Sequence, residues 1–117
     1  MKHLIHARKE AVKSHHERAK VGAVIVKGGA IIGKGFNSPK YIGKGEYGYT
    51  STHAELSALL HTNKPKGGVC YVFRMLKNSL PAMAKPCMKC QTLLRHAGIK
   101  KAYYTTSIPP FFGVIKL

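Results

Sequence analysis

The sequence predicts an α/β fold in which helices cover a mixed sheet of five strands. An opening helical pattern is followed by two β-branched runs, after which helical and strand patterns alternate along the chain. The resulting order, β-β-α-β-α-β followed by a fifth strand at the end of the chain, is typical of a mixed sheet covered by helices. The 117 residues suit one domain, spanning residues 1–117, whose core does not need disulfides.

The first half of the chain supplies a helix, a hairpin and a long loop. Apolar residues at near-helical spacing predict an amphipathic helix over residues 2–18. Two strands over residues 21–26 and 30–36 follow, and Gly28-Gly29 between them is a hairpin signal. Residues 37–51 are rich in glycine, so they predict a loop of a length that is usually functional or mobile in a compact domain.

The middle of the chain predicts a second helix and a third strand. The helix runs from Thr52 to about His61, and the strand covers residues 69–75. Residues 77–85 then predict a loop.

The last third of the chain supplies a third helix and two more strands. Pro86 suits the first position of a helix and Gly98 suits the position just after its end. A fourth strand is expected over residues 99–105. The segment that follows is shorter than the dozen or so residues of a parallel crossover, so a strand over 114–117 should run antiparallel to the fourth.

Charge and hydropathy narrow the class of protein. Twenty Lys and Arg side chains face four acids, giving a net charge of +16, and such a surface attracts polyanions. A generally basic surface without a dedicated partner is the alternative. No apolar run reaches the ~18 residues of a membrane span, and the N-terminus lacks the apolar stretch of a signal peptide. We therefore expect a soluble, cytoplasmic protein with no membrane partner.

The three cysteines divide into a pair and a single residue. Cys87 and Cys90 form a Cys-x-x-Cys pair, which in a reducing compartment indicates a metal or redox site. Cys70 lies within the third predicted strand, where a small buried core residue is expected.

The most informative pattern is His53-Ala54-Glu55 followed by Pro86-Cys87-Met88-Lys89-Cys90. Zinc prefers nitrogen and sulfur ligands, and a catalytic zinc site uses three protein ligands. Cysteines at the start of a helix are favoured as thiolates, the form that binds metal. The pattern predicts a Zn²⁺ site formed by His53, Cys87 and Cys90, with Glu55 left as the catalytic proton carrier.

Other interpretations of the same residues remain open. Thr52-x-x-Glu55 is also a capping box, in which Glu55 only bonds back to the helix start. The Cys87/Cys90 pair alone could be a redox pair or half of a structural zinc site. A closed site with Cys70 as a fourth ligand is a further alternative.

His-Ala-Glu followed by Pro-Cys-x-x-Cys resembles the signature of the zinc-dependent cytidine and deoxycytidylate deaminase superfamily. The resemblance extends over residues 1–106 and includes three further segments in matching order. These are Val21-Gly22-Ala23-Val24-Ile25-Val26, Gly35-Phe36-Asn37 and Ala97-Gly98-Ile99-Lys100-Lys101. The resemblance implies α-β-α layers, with helices on both faces of the sheet.

The resemblance also implies hydrolytic deamination of a nucleobase and a role for each matching residue. His53, Cys87 and Cys90 match the zinc ligands, and Glu55 matches the proton shuttle. The backbone N–H of Ala54 matches a contact to the base carbonyl. Asn37 matches a residue that commonly bonds the sugar or base, although an ordinary turn asparagine is the alternative.

The base and its carrier are less well marked. Residues 49–52 lack the Asp-Pro of the superfamily members that act on adenosine in transfer RNA, so cytosine is favoured. The high charge favours a phosphate-bearing substrate. Lysines and tyrosines are interspersed in the long loop, where the lysines could bind phosphates and the tyrosines could stack on bases. The alternative is that the tyrosines pack on their own domain. These lysines and tyrosines are Lys40, Tyr41, Lys44, Tyr47 and Tyr49.

Three hypotheses follow from the sequence. The first is a deaminase of cytosine in a nucleotide such as dCMP or a cytidine-type nucleotide. The second is the same reaction on single-stranded DNA or RNA. The third is a basic nucleic-acid-binding zinc domain without turnover. Self-association into a homo-oligomer is compatible with each of them.

Overall fold

A computed structural model of the chain describes residues 2–15, 19–38 and 53–117. In these residues it contains three helices and six strands. They are α1 (Lys2–Val12), β1 (Lys20–Lys27), β2 (Ala30–Phe36), α2 (Ala54–Leu60), β3 (Val69–Met75), β4 (Pro81–Ala82), α3 (Met88–His96), β5 (Lys101–Thr105) and β6 (Phe112–Lys116). None of the helices in the described ranges is long and apolar enough to cross a membrane.

The strands form one mixed sheet in the order β2-β1-β3-β5-β6. β3 and β5 are parallel, whereas β1 is antiparallel to β2 and β3, and β6 is antiparallel to β5. The predicted mixed sheet and its antiparallel last strand are therefore confirmed. The prediction of five strands missed β4, which pairs with the end of β3 within the stretch predicted as a loop. Two residues are too few to show the alternation by which a strand is recognised.

Helices cover both faces of the sheet, as the resemblance implied. Successive residues of a strand point to opposite faces. Ala23 and Ile25 of β1 accordingly belong to the main core cluster, on the face that carries α2 and α3. Val24 and Val26 pack with Ala7 of α1 on the other face.

The hairpin between β1 and β2 was correctly predicted from its glycines. Gly28 and Gly29 have φ values of +59° and +81°. Two successive residues with positive φ form the type I′ turn, whose twist matches that of a two-residue hairpin.

Each helix is shorter than the sequence predicted. α1 ends at Val12 and not at residue 18, and the hydroxyl of Ser14 hydrogen-bonds Asn37 after the helix ends. α2 begins at Ala54 and not at Thr52, and α3 begins at Met88 and not at Pro86. Both starts move because the residues before them, His53 and Cys87, have extended backbones with ψ values of 150° and 166°.

Candidate active site

Three potential metal ligands meet where α2 and α3 begin. His53 is the N-cap residue of α2, Cys87 is the N-cap residue of α3, and Cys90 lies in the first turn of α3. Their ligand atoms all lie within 4.8 Å of one another. The Nδ1 atom of His53 is 3.4 Å from the Sγ atom of Cys90 and 3.8 Å from that of Cys87.

These separations fit a tetrahedral zinc ion. Zn–N bonds of about 2.0–2.1 Å and Zn–S bonds of about 2.3 Å at the tetrahedral angle place nitrogen and sulfur about 3.6 Å apart. The two observed nitrogen–sulfur distances lie on either side of that value. The donor set of one imidazole and two thiols is also one that zinc prefers. The three side chains therefore match both the geometry and the chemistry of a zinc site with one open position.

Cys70 is not part of this group. Its side chain is fully buried in β3 and belongs to the main core cluster. Burial raises the pKa of the Cys70 thiol well above its ordinary value, with a further contribution from the Glu55 charge. The group of converging ligand atoms consists of His53, Cys87 and Cys90 and does not include Cys70. Cys70 therefore has the core role that the sequence predicted, and the closed four-ligand alternative is wrong.

The surroundings of His53 favour its neutral form. Burial lowers the pKa of the imidazole, and the positive charge of Lys89 lowers it further. Since a metal binds the neutral ring, both effects act in the direction that binding needs.

Glu55 is the second residue of α2 and is buried, with 6% of its surface exposed. Burial raises the pKa of its carboxyl, and this shift is opposed by hydrogen bonds that the carboxylate accepts from its own backbone N–H and from the Cys90 side chain. In a capping box the glutamate occupies the third helical position, counted from a Ser or Thr N-cap. Here the N-cap residue is His53, and its side chain makes no capping bond. The capping-box interpretation is therefore wrong for the position of Glu55.

A cleft of about 280 Å³ lies beside the potential metal ligands. Its lining includes His53, Ala54, Glu55, Cys87 and Asn37. Cys90 is fully buried behind it, and its Sγ atom reaches the same His53 nitrogen as Cys87 does. The fold thus brings all six residues that the sequence singled out to one place.

Asn37 has a structural role at the wall of this cleft. Its Oδ1 atom accepts hydrogen bonds from the Ser14 hydroxyl at 2.6 Å and from the Val21 N–H at 2.9 Å. Its Nδ2 atom donates to the Ala19 carbonyl at 3.1 Å. These bonds join the segment after α1 to the ends of β1 and β2, and they leave one N–H of the amide for another acceptor.

The cleft also contains two cations that the sequence reading missed, Arg74 and Lys85. Arg74 has the same parity in β3 as the core residues Cys70 and Val72, so its side chain points to the face that carries α2 and α3. A charged residue at a core-facing position near the end of a strand was the available signal. Lys85 directly precedes the Pro86-Cys87 motif.

The tyrosines of the chain include those of the long loop and a pair in β5. The Lys40–Tyr49 loop lies outside the described residues. Tyr103 and Tyr104 point to opposite faces of β5, since Tyr104 packs on the main core whereas Tyr103 stacks on Tyr71, with ring centroids 5.0 Å apart. One tyrosine of this pair therefore packs in the core, and neither is among the residues that line the cleft.

Comparison with known proteins places these features in a family. The family model described as the cytidine and deoxycytidylate deaminase zinc-binding region matches residues 1–106. A tRNA-specific adenosine deaminase of Streptococcus pyogenes serotype M1 is 34% identical over 95% of this chain. The chain spans only 60% of that relative's length. A deoxycytidylate deaminase of Mycobacterium phage D29 is 30% identical, over 80% of this chain and 84% of the relative.

Solved structures agree with the fold. The dCMP deaminase from the cyanophage S-TIM5, in complex with dCMP and dUMP, matches with a TM-score of 0.69 and 26% identity. The match covers 90% of this chain and 79% of that one. A cytidine deaminase from Burkholderia pseudomallei matches with a TM-score of 0.66 at 20% identity, a likeness of fold alone, over 98% of this chain and 91% of that one.

The match of the family model to nearly the whole chain agrees with the ligand geometry, and the family's zinc-binding region agrees with Zn²⁺ as the cofactor. The chain therefore belongs to the cytidine and deoxycytidylate deaminase family of enzymes.

Proposed function

We propose that this protein is a zinc-dependent hydrolytic deaminase that converts cytosine to uracil in a phosphate-bearing substrate, with dCMP favoured. The observation that carries the proposal is the position of Glu55. This carboxyl is buried, lines the cleft, and lies beside the side chains that fit a zinc ion. A structural zinc site has no use for a buried carboxyl at an accessible cleft, whereas a hydrolytic site needs a group that carries protons.

Each residue of the site then has a role. His53, Cys87 and Cys90 would hold the zinc ion, and the ion, when bound, supplies the Lewis acidity that activates water near neutral pH. Glu55 accepts a proton at its carboxylate, donates one to the ring nitrogen of the base, and finally carries one to the departing ammonia. Burial of the Glu55 side chain keeps these proton transfers away from bulk solvent.

Two backbone and side-chain groups would orient the base and sugar. Ala54 is the first residue of α2, so its N–H has no acceptor within the helix and is free to donate to the base carbonyl. Asn37 has one amide N–H beyond its three bonds within the protein, and this is the group it would offer to the sugar or base.

Charge and relatives support a phosphate-bearing substrate. In the part of the chain that the structure describes, the acids are Glu10 and Glu55, and both are buried. The carboxylate side chains of these residues therefore oppose little of the positive surface charge that would attract an anionic substrate. Similar proteins include a phage deoxycytidylate deaminase and a dCMP deaminase solved with dCMP and dUMP.

A polynucleotide substrate is the second candidate. The Streptococcus pyogenes relatives named tRNA-specific adenosine deaminases are up to 34% identical to this chain. The candidate polynucleotide targets are therefore cytosine in a single strand and adenosine in RNA. The absence of Asp-Pro before His53 disfavours adenosine as the target. This argument comes from the sequence alone, since residues 49–52 lie outside the described ranges. The third candidate function is a basic nucleic-acid-binding domain without turnover.

The role of Glu55 is tested by the Glu55→Gln substitution, which keeps the shape of the side chain but removes its proton chemistry. We expect turnover to fall by a factor of about 10² to 10⁴, the usual contribution of a general acid–base group, while the zinc content stays unchanged. Glu10→Gln is the matched control, since Glu10 is equally buried but lies on α1 and pairs with Lys13, just after that helix. Full turnover in the Glu55 variant would remove this residue from the mechanism.

The substrate class is tested by measuring ammonia release from dCMP, deoxycytidine, a cytosine-containing oligonucleotide and an adenosine-containing transfer RNA stem-loop. We expect dCMP to give the highest kcat/KM. Oligonucleotide affinity that falls steeply with salt, without ammonia from any substrate, would support the domain without turnover and contradict the enzyme proposal.

A further inference from the structure

Two positively charged side chains, Arg74 and Lys85, line the same cleft as Glu55 and Cys87. Their chemistry plays no part in holding a metal or in moving a proton. A cleft with one buried carboxyl and two cations is suited to a ligand that carries negative charge at some distance from its reacting group.

The guanidinium of Arg74 is incompletely satisfied by the protein. Its Nε atom is buried and has no hydrogen-bond partner, and its Nη1 atom is 3.5 Å from the Met83 carbonyl, at the outer limit for a hydrogen bond. Among the described residues the one ion pair joins Lys13 to Glu10, so no carboxylate of these residues neutralises Arg74. A buried donor without an acceptor in the protein is uncommon, and it is satisfied by a group from outside the chain, such as a water molecule, an ion or a ligand atom.

The backbone that carries Arg74 is fixed by three strands. The Arg74 N–H donates to the hydroxyl of Thr105 in β5 at 3.1 Å. That hydroxyl, which is buried, donates in turn to the Ala82 carbonyl of β4 at 2.7 Å, and Ala82 pairs with Arg74 in the sheet. These bonds fix the point from which the Arg74 side chain extends, so binding an anion needs only the side chain to become ordered and not the backbone.

We propose that Arg74, assisted by Lys85, binds the phosphate group of a mononucleotide in this cleft. The inference rests on the proposed deaminase function, and it assigns the choice of nucleotide over nucleoside to these two residues. Arginine offers parallel N–H donors that match two phosphate oxygens, and lysine adds a compact charge. The cleft, at about 280 Å³, is close to the lower end of pockets for small ligands and so suits one nucleotide.

The inference is tested with dCMP and deoxycytidine, which differ only in the phosphate, on the zinc-loaded wild type and on Arg74→Met, Arg74→Lys and Lys85→Met. We expect the wild type to prefer dCMP by about 10²-fold or more, since a charged hydrogen-bond pair contributes about 10–150-fold. Arg74→Met should lower kcat/KM for dCMP by about 10²-fold and change that for deoxycytidine by less than about 3-fold. Arg74→Lys and Lys85→Met should show smaller losses of the same kind.

Arg8→Met is the matched control because it removes one arginine charge from α1, on the other face of the sheet. It should leave the preference for dCMP unchanged, which separates a local contact from a change in net charge. Zinc content and the thermal unfolding temperature of each variant establish that its fold is intact.

Binding of the product provides a readout that does not depend on turnover. Calorimetric titration with dUMP and deoxyuridine should show tighter binding of dUMP to the wild type and a loss of most of that difference in Arg74→Met. The inference would be overturned if the wild type bound dUMP and deoxyuridine equally well, or turned over dCMP and deoxycytidine equally well. Either result would still be compatible with a deaminase. Equal losses for dCMP and deoxycytidine in Arg74→Met would also overturn the inference.

The two proposals fail in different ways. No ammonia from any substrate contradicts the deaminase, while the dUMP titration still decides whether Arg74 binds phosphate. A wild type that uses the oligonucleotide better than dCMP, with Arg74→Met equally active on dCMP, would overturn the mononucleotide inference without contradicting deamination.

Discussion

Replacement of Asn37 by alanine distinguishes a structural asparagine from one whose main role is to bind substrate. Its side chain makes three hydrogen bonds, with Ser14, Val21 and Ala19, at distances of 2.6, 2.9 and 3.1 Å. Asn37→Ala removes all three, including the bonds to the Val21 N–H and the Ala19 carbonyl. We therefore expect the substitution to destabilise the fold as well as to weaken activity.

The size of the effect follows from these bonds. A hydrogen bond within a protein contributes about 0.5–1.5 kcal/mol to stability, so three part-buried ones suggest a loss of roughly 2–4 kcal/mol. For a domain of this size, 1 kcal/mol corresponds to about 4 °C in the unfolding temperature, and we expect a decrease of about 8–16 °C. Such a loss is a large part of the 5–15 kcal/mol that is usual for a folded domain.

Urea unfolding, followed by circular dichroism, measures this loss for Asn37→Ala and for the control Asn63→Ala. Asn63 is exposed between α2 and β3, so its replacement should change the free energy of unfolding by less than about 0.5 kcal/mol. A change of the same small size for Asn37→Ala, together with a reduced kcat/KM, would refute the structural role and favour direct substrate contact.

Two further predictions concern packing and thiol chemistry. Gly22→Ala should destabilise the fold by about 3 kcal/mol or more, because an added Cβ would lie against the backbone of Ala7 and Ala11 in α1. Urea unfolding measures this loss of stability, and a loss below about 1 kcal/mol would show that α1 can shift freely. In protein treated with a chelator, iodoacetamide should modify Cys87 on the order of 10³-fold faster than Cys70. The reason is that Cys87 is exposed, whereas Cys70 is buried with a raised pKa and reacts only from the unfolded chain. Peptide mapping by mass spectrometry follows both reactions, and comparable rates would contradict the core role of Cys70.

The long elements of the fold were predictable because their signals are local. The β-branched runs and the Gly28-Gly29 turn specify the first hairpin by pattern and backbone preference alone. The two residues of β4 are a strand only because the end of β3 lies next to them. Pairing of that kind depends on contacts between distant parts of the chain, which no local pattern contains.

The site divides in a similar way. The candidate metal ligands were predictable because zinc restricts both the residue types and their spacing. Asn37 was recognised, but its bonds to Ser14, Ala19 and Val21 depend on three segments that meet only in the folded protein. Arg74 was missed because a single arginine in a strand reads as a surface residue until its parity is compared with that of the core.

The ends of α2 and α3 explain why local rules failed where they did. An N-cap residue is usually Ser, Thr, Asn or Asp, whose side chain bonds the helix and contributes about 0.5–2 kcal/mol. Here the N-cap residues are His53 and Cys87, and neither side chain makes a capping bond. Their extended backbones turn both side chains toward a common point instead. The predicted helix starts were therefore misplaced by two residues at the two positions where the N-cap side chain belongs to the candidate metal site and does not cap the helix.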